Sequence, residues 1–418
     1  MHASSLIPSE LPKNTMFLGE LGLKGDVRPI RGVIGKLLAA QSKGFDTFYL
    51  PKENIKQALL IPNIKILPVN NLKELYFSLT NTQPIAVINS GKGKQPVSNK
   101  LVNTIDMQDV SGQARAKRVL EIAAAGNHNA LLNGPPGTGK SMLAKALPGI
   151  LPPMELDEIL EVTHLHSLAS HNFDQIINER PFRSPHHGAS ETAIIGGGSS
   201  ARPGEISLAH RGVLFLDELP EYSRATIEAL RQPLEDKVIT IARAKQNAQY
   251  PTDFMLIATS NPCPCGFYGT TKTCVCLPHL ILQYQRKLSG PIIDRIDLYT
   301  EVDNVKHETL LKNNSENESS SVIQQRVIAA RERQHKRYKD SGKTNSQLDN
   351  SEIKLYSNLE PAAEDLLNQA AEKLDISARA YMRLIKVART IADLEGSDSI
   401  TPAHISEVIQ YRKATSNP

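Results

Sequence analysis

The sequence predicts an α/β fold in which a parallel sheet around a phosphate-binding loop carries a C-terminal helical lid and is preceded by a smaller α/β domain. Three observations predict it. Gly134-Pro135-Pro136-Gly137-Thr138-Gly139-Lys140-Ser141 is a complete G-x-x-x-x-G-K-S between an apolar run at 130–132 and helix formers at 142–147. Two later apolar runs, 213–216 and 254–259, end in Asp217-Glu218 and Ser260-Asn261, as buried parallel strands do when their carboxyl ends carry the chemistry. The C-terminal quarter reads as successive helices, with start signals such as Thr401-Pro402.

Composition bounds the function. A chain of 418 residues with 40% hydrophobic and 22% charged content has enough apolar surface for two or three domains and is not a disordered chain. No apolar run reaches the roughly 18 residues of a membrane span, and residues 1–14 lack a basic-then-apolar leader. These features predict a cytoplasmic protein with no membrane partner. A net charge of +4 and a pI of about 8.7 permit nucleic acid as a partner without arguing for it, so local clusters have to carry that case.

In chain order, 17–21 and 26–30 read as strands around the Lys24-Gly25 turn, 33–43 as a helix and 47–50 as a strand. A helix, strand and helix follow at 54–60, 64–69 and 72–79, completing an α/β domain over 1–80. Its text from Phe17 to Ala40 resembles the latter half of a Lon-protease-like domain. In that family the lysine matching Lys36 partners a nucleophilic serine from well upstream. Only 16 residues precede Phe17, so no Ser-Lys dyad is expected, Lys36 reads as structural, and the domain reads as partial and N-terminally shortened. Residues 81–104, with Gln83-Pro84, Gln95-Pro96 and few apolar residues, read as a linker.

The core follows at 105–310. The loop glycines let amides turn toward β- and γ-phosphates, Lys140 adds a point charge, and Ser141 is placed to bind Mg²⁺. These features predict a bound nucleoside triphosphate. Asp217 can hold Mg²⁺ at its strand end, while Glu218 can orient and deprotonate an attacking water. Asn261 can sit between the γ-phosphate and that water. The pattern of loop, Asp-Glu strand and Asn strand resembles the AAA+ ATPases, in which the Asn261 position is called sensor 1. The segment 290–297 resembles that family's arginine-finger segment, with Arg295 supplied to the neighbouring subunit. A local ion pair of Arg295 with Asp294 or Asp297 is the competing reading.

A closer resemblance spans nearly the whole chain. The strings 204–221, 261–266 (Asn-Pro-Cys-Pro-Cys-Gly) and 377–394 are similar to the magnesium-chelatase-like ATPases of the YifB/ComM type. The resemblance implies a Lon-like N-terminal domain, an AAA+ core and a helical lid, assembled as a hexameric ring. It also implies ATP-driven branch migration of DNA during recombination of imported strands. Within the lid the family's sensor 2 arginine best matches Arg379, with Arg383 one turn further along the same face as the alternative.

The candidates for DNA are two polar segments. Residues 183–204, with Arg183 and Arg202, resemble the helix-2 insertion shared with MCM helicases. Residues 238–245, with Arg243 and Lys245, alternate like a hairpin strand and match the pre-sensor hairpin of the same group. Phosphate contacts from these four side chains would be insensitive to base sequence. A solvated loop and edge strand is the alternative. His186 and His187 have no neighbouring Cys or carboxylate in sequence and read as polar surface.

All four cysteines fall in one window, Cys263-x-Cys265-x₈-Cys274-x-Cys276. Two readings stand, a structural Zn²⁺ held by four thiolates and free thiols in a loop. Residues 311–321 read as a flexible linker, and 322–418 as the lid, with helices at 322–339, 361–373, 378–394 and 403–411. The function expected is a Mg²⁺-dependent AAA+ ATPase acting on DNA as a homo-oligomeric ring. A chelatase-type motor that remodels a protein partner and a non-catalytic nucleotide-dependent scaffold are its rivals.

Overall fold

The computed structural model describes residues 7, 11–91, 105–170, 172–198, 201–242, 247–287, 292–305 and 317–412. They fall into two compact units, one drawn from 1–100, 153–179 and 198–204, the other from 101–152, 180–197 and 205–418.

In the first unit the strands Thr15–Phe17, Thr47–Pro51 and Lys65–Val69 pair in parallel, and Ile88–Asn89 adds an antiparallel edge. This edge strand lies inside the stretch read from sequence as linker: Ile88 is apolar enough to pack against the core, although two residues are too short to show a period. Residues 92–104 of that stretch lie outside the described residues. The helix Val33–Gln41 buries Val33, Ile34, Leu37 and Ala40, the spacing of one helical face. That face shares a core with Ile159, Leu160 and Val162 of the helix Leu156–Ala169. Gly35 allows the approach: its N–H donates to His164 Nδ1 at 3.3 Å, and a Cβ there would lie 2.6 Å from the imidazole. Lys36 on the same helix donates to the carbonyl of Arg31. Residues 153–179 and 198–204, which lie inside the core read over 105–310, cluster with the N-terminal residues, because the apolar face of Leu156–Ala169 finds its partners there.

The second unit is built on a parallel sheet of five strands in the order Leu298–Glu301, Ala130–Asn133, Met255–Ser260, Val213–Leu216, Phe182–Arg183. Both faces are covered. Val213 and Phe215 enter a core shared with the lid helices, whereas Leu214 and Leu216 enter a second one with Leu256 and Phe254, which is why these strands read as continuous apolar runs. The strands Val238–Ala242 and Asn247–Pro251 form an antiparallel hairpin. The C-terminal residues form the helices Ser320–Tyr338, Asn350–Tyr356, Pro361–Lys373, Ala378–Glu395 and Pro402–Gln410. The short Asn350–Tyr356 helix, not foreseen from sequence, starts at Asp349, whose carboxylate accepts from the N–H groups of Ser351 and Glu352. No described helix is long and apolar enough to cross a membrane.

Candidate active site

Three neighbouring parallel strands deliver chemistry at one edge of the sheet. Ala130–Asn133 runs into the phosphate loop and Val213–Leu216 into Asp217-Glu218; Met255–Ser260, which lies between them, runs into Asn261. Gly134 N–H donates to the Ser260 carbonyl at 3.1 Å and ties the loop to the central strand. Only glycine fits at 134, because a Cβ would sit 2.2 Å from the Val302 carbonyl oxygen.

Lys140 opens the helix Lys140–Ala146 and is buried. Its ammonium donates to the carbonyls of Gly134 at 2.5 Å and Pro135 at 2.8 Å, and to Asn261 Oδ1 at 3.1 Å. These contacts use all three of its protons. Burial pushes the group down to about 8, against the opposite pull of Asp217 and Glu218. Ser141 Oγ donates to Asp217 Oδ2 at 2.9 Å, and Thr259 Oγ1 donates to Asp217 Oδ1 at 2.5 Å while accepting from Glu218 N–H at 2.8 Å. Glu218 sits at φ 52°, the left-handed region, which turns its side chain away from the direction of the preceding strand. Asn261 Nδ2 reaches Glu218 Oε1 at 3.4 Å.

The structure thus brings Lys140, Ser141, Asp217, Glu218 and Asn261 into one connected network. A hydroxyl and a carboxylate oxygen side by side, Ser141 and Asp217, form the hard-oxygen donor set that suits Mg²⁺. Thr259, passed over in the sequence reading, orients Asp217 and braces the backbone of Glu218. Its signal was the switch from apolar to hydroxyl residues at the end of the run.

Arg295 lies in the 3₁₀ turn Ile293–Arg295 and pairs with Glu235 at 2.5 Å. Arg379, at the start of the helix Ala378–Glu395, pairs with the same oxygen at 2.5 Å. The first arginine is 10% exposed and the second 54% exposed, so Arg295 is held in place while Arg379 reaches over it from solvent. Of the local partners considered from sequence, Asp297 is engaged elsewhere: it accepts from Asn129 N–H at 3.2 Å and lies 3.3 Å from His128 Nδ1. Asn129 also donates to the Arg295 carbonyl at 2.9 Å, which fixes the turn. Arg383 donates to the Ile296 carbonyl at 3.0 Å, and burial lowers its pKa. Glu235 and Asn129 escaped the sequence reading, since nothing in local spacing announces a contact across the chain.

The four cysteines converge. Sγ of Cys263 lies 3.4 Å from that of Cys265 and 3.8 Å from that of Cys274, the last two are 3.6 Å apart, and all four sulfurs lie within 4.8 Å of one another. Tetrahedral Zn–S bonds of about 2.3 Å require sulfurs about 3.8 Å apart, so the donor set fits Zn²⁺ in kind and in spacing. The separations are far too long for disulfides. No comparable group among the described residues includes His186 or His187, whose rings lie with centroids 4.1 Å apart at a tilt of 33°.

Arg183 belongs to the edge strand of the core sheet, and its Nε and Nη2 donate to the two carboxylate oxygens of Glu205, each at 2.6 Å. Arg202 is exposed, in the first unit. Arg243 and Lys245 lie outside the described residues, between the two hairpin strands in sequence.

Residues 106–310 match the family described as magnesium chelatase, subunit ChlI; residues 317–412 match its C-terminal counterpart, and residues 1–54 match the family described as subunit ChlI of Mg-chelatase. The chain is 41% identical over 425 residues to the competence protein ComM of Haemophilus influenzae, covering 98% of this chain and 80% of that protein. It is 42% identical to the protein YifB of Escherichia coli, covering 94% of this chain and 76% of that one. The magnesium-chelatase 67 kDa subunit of Heliobacterium mobile is 28% identical over 199 residues, which are 40% of this chain and 30% of that subunit.

Proposed function

Because this chain belongs to the ComM and YifB family of magnesium-chelatase-like proteins, we propose that it is a Mg²⁺-dependent AAA+ ATPase that works on DNA as a hexameric ring. The observation that carries the ATPase reading is the single network joining Lys140, Ser141, Asp217, Glu218 and Asn261 at the ends of three adjacent strands.

In this reading the amides of 134–141 and the Lys140 ammonium grip the β- and γ-phosphates, the ammonium exchanging loop carbonyls for phosphate oxygens. Ser141 and Asp217 hold Mg²⁺, which would neutralise charge on the phosphate oxygens. Glu218 takes a proton from the attacking water, and Asn261, already touching both Lys140 and Glu218, positions that water. Arg295 and Arg379 serve the nucleotide of a neighbouring subunit together. Two cations on one carboxylate leave a net positive spot that favours an incoming phosphate. In the same reading Arg379 is the sensor 2 residue, with Arg383, which donates to the Ile296 carbonyl beside the Arg295 turn, as the alternative.

The cysteine cluster holds a structural Zn²⁺. Residues 1–80 are Lon-protease-like, and the protein is cytoplasmic. DNA is met through Arg183, Arg202, Arg243 and Lys245, by phosphate contacts without base readout.

Phosphate release from Mg·ATP, measured alone and then with single-stranded, duplex and branched DNA at two salt concentrations, tests the proposal. Stimulation by DNA that weakens with salt is expected. Turnover indifferent to every DNA would transfer the reading to a protein substrate. A chain that binds ATP without turning it over would be a scaffold.

A further inference from the structure

The segment that follows Asn261 has no helix or strand until Pro278, and it carries its apolar side chains poorly: Tyr268 is 51% and Val275 82% exposed. A loop of this kind lacks a core of its own, and in such segments a metal commonly supplies the missing order. Here the order is centred on sulfur. Cys263 is fully buried, Tyr268 N–H donates to its Sγ at 3.3 Å, and Cys265 N–H donates to Cys276 Sγ at 3.4 Å.

The same loop presses on the phosphate loop. Gly266 closes a turn, its N–H donating to the Cys263 carbonyl at 3.0 Å, with φ 83°. A Cβ at Gly266 would lie 2.5 Å from Pro136 Cδ, so the backbone of 266 lies flat against the second proline of the phosphate loop. Pro136 belongs to the loop whose carbonyls hold Lys140, and Asn261, two residues before Cys263, holds Lys140 from the other side. The sulfur cluster is therefore mechanically in series with the nucleotide grip.

We propose that a Zn²⁺ ion held by Cys263, Cys265, Cys274 and Cys276 braces the phosphate loop through the Gly266–Pro136 contact, so that nucleotide affinity depends on metal occupancy. The inference rests on the nucleotide-binding and zinc readings above. Loss of the metal frees the turn at 263–266 and lets the phosphate loop relax. The link makes the ATPase responsive to zinc supply without any change at Lys140 or Asp217.

The test uses the full chain as purified. Elemental analysis counts the metal, and titration with a fluorescent ATP analogue in constant Mg²⁺ gives the affinity before chelation, after chelation and after adding back Zn²⁺ alone. Far-UV circular dichroism follows the fold throughout. Expected are one Zn²⁺ per chain, an affinity at least tenfold weaker after its removal with the helix content kept, and recovery on adding it back. In parallel, Gly266→Val should keep its Zn²⁺ and bind the analogue at least tenfold more weakly. Bound Zn²⁺ whose removal leaves affinity unchanged overturns the brace and leaves the metal site standing. A chain that binds the analogue but neither carries nor takes up Zn²⁺ overturns the inference at its metal. Failure to bind the analogue with Zn²⁺ in place removes the nucleotide reading, and the inference with it.

Discussion

Arg295 and Arg379 donate to one and the same atom, Oε1 of Glu235, each at 2.5 Å. One negative charge facing two positive ones keeps the Glu235 carboxyl below its ordinary pKa, first through the hydrogen bond from Arg295 and then through that from Arg379. The pair retains a surplus positive charge that an anion from outside the subunit can satisfy.

Arg295→Ala should therefore leave ATP affinity within about threefold of the parent and lower turnover by about 10³ or more, the scale at which arginine fingers act. Mixing this variant with Glu218→Gln subunits, each inactive alone, should restore measurable turnover, because an intact Arg295 then meets an intact Glu218 across the interface. Mixtures as inactive as their components would rule out donation between subunits.

Glu218→Gln keeps the shape of the side chain and removes the base. Hydrolysis should fall by about 10²–10⁴, with nucleotide still bound. Asn261→Ala, which removes contacts to both Lys140 and Glu218 at 3.1 and 3.4 Å, should lower kcat more than it raises KM, since the parent holds ATP through the loop and Lys140 as well. An effect on KM alone would make Asn261 a binding residue.

Lys140 gives a pH dependence of definite sign. Burial holds the free group at about 8, and only its charged form attracts phosphate. A bound triphosphate stabilises the charged form, so binding takes up a proton once the pH exceeds that value. Affinity for ATP should be flat below pH 7 and fall about tenfold by pH 9. Calorimetry in buffers of different ionisation enthalpy would reveal the proton uptake. A flat affinity across pH 7–9 would mean that Lys140 stays charged without the nucleotide.

How far these sites were legible in sequence follows from where their causes lie. Gly134 to Ser141 could be read because phosphate chemistry dictates adjacent residues, and 213–216 because a strand buried on both faces has no polar position. The cysteines were visible by their exclusive clustering. Glu235, Asn129 and the Gly266–Pro136 contact were not, because each works through a neighbour distant in the chain and its own surroundings in sequence are ordinary. The Arg183–Glu205 pair was hidden for a related reason: its two members are separated by a glycine-rich segment, where spacing carries no information about pairing.

The lid offers a test of stability apart from the chemistry. Asp393 is fully buried; it accepts from Arg337 at 3.0 Å and from Asn345 at 2.9 Å and lies 3.1 Å from Arg389, which is itself only 1% exposed. Burial lowers the pKa of Arg389, and Asp393 is the carboxylate that opposes this. Asn345 also donates to Thr390 Oγ1 at 2.9 Å, which in turn lies 2.8 Å from His128 Nε2, so the buried polar groups of the lid connect to the start of the phosphate-loop strand. Asp393→Asn keeps the volume but leaves the buried Arg389 and the half-buried Arg337 without their counter-charge. Removing one partner of a buried ion pair costs about 3–5 kcal/mol, and the unfolding free energy from urea titration should fall by that amount, as a lower midpoint with the slope unchanged. ATP affinity of the folded fraction should stay at the parent value, since the phosphate loop keeps all its own contacts. An unfolding free energy unchanged within about 0.5 kcal/mol would mean that the arginines reach water or another anion in the folded lid.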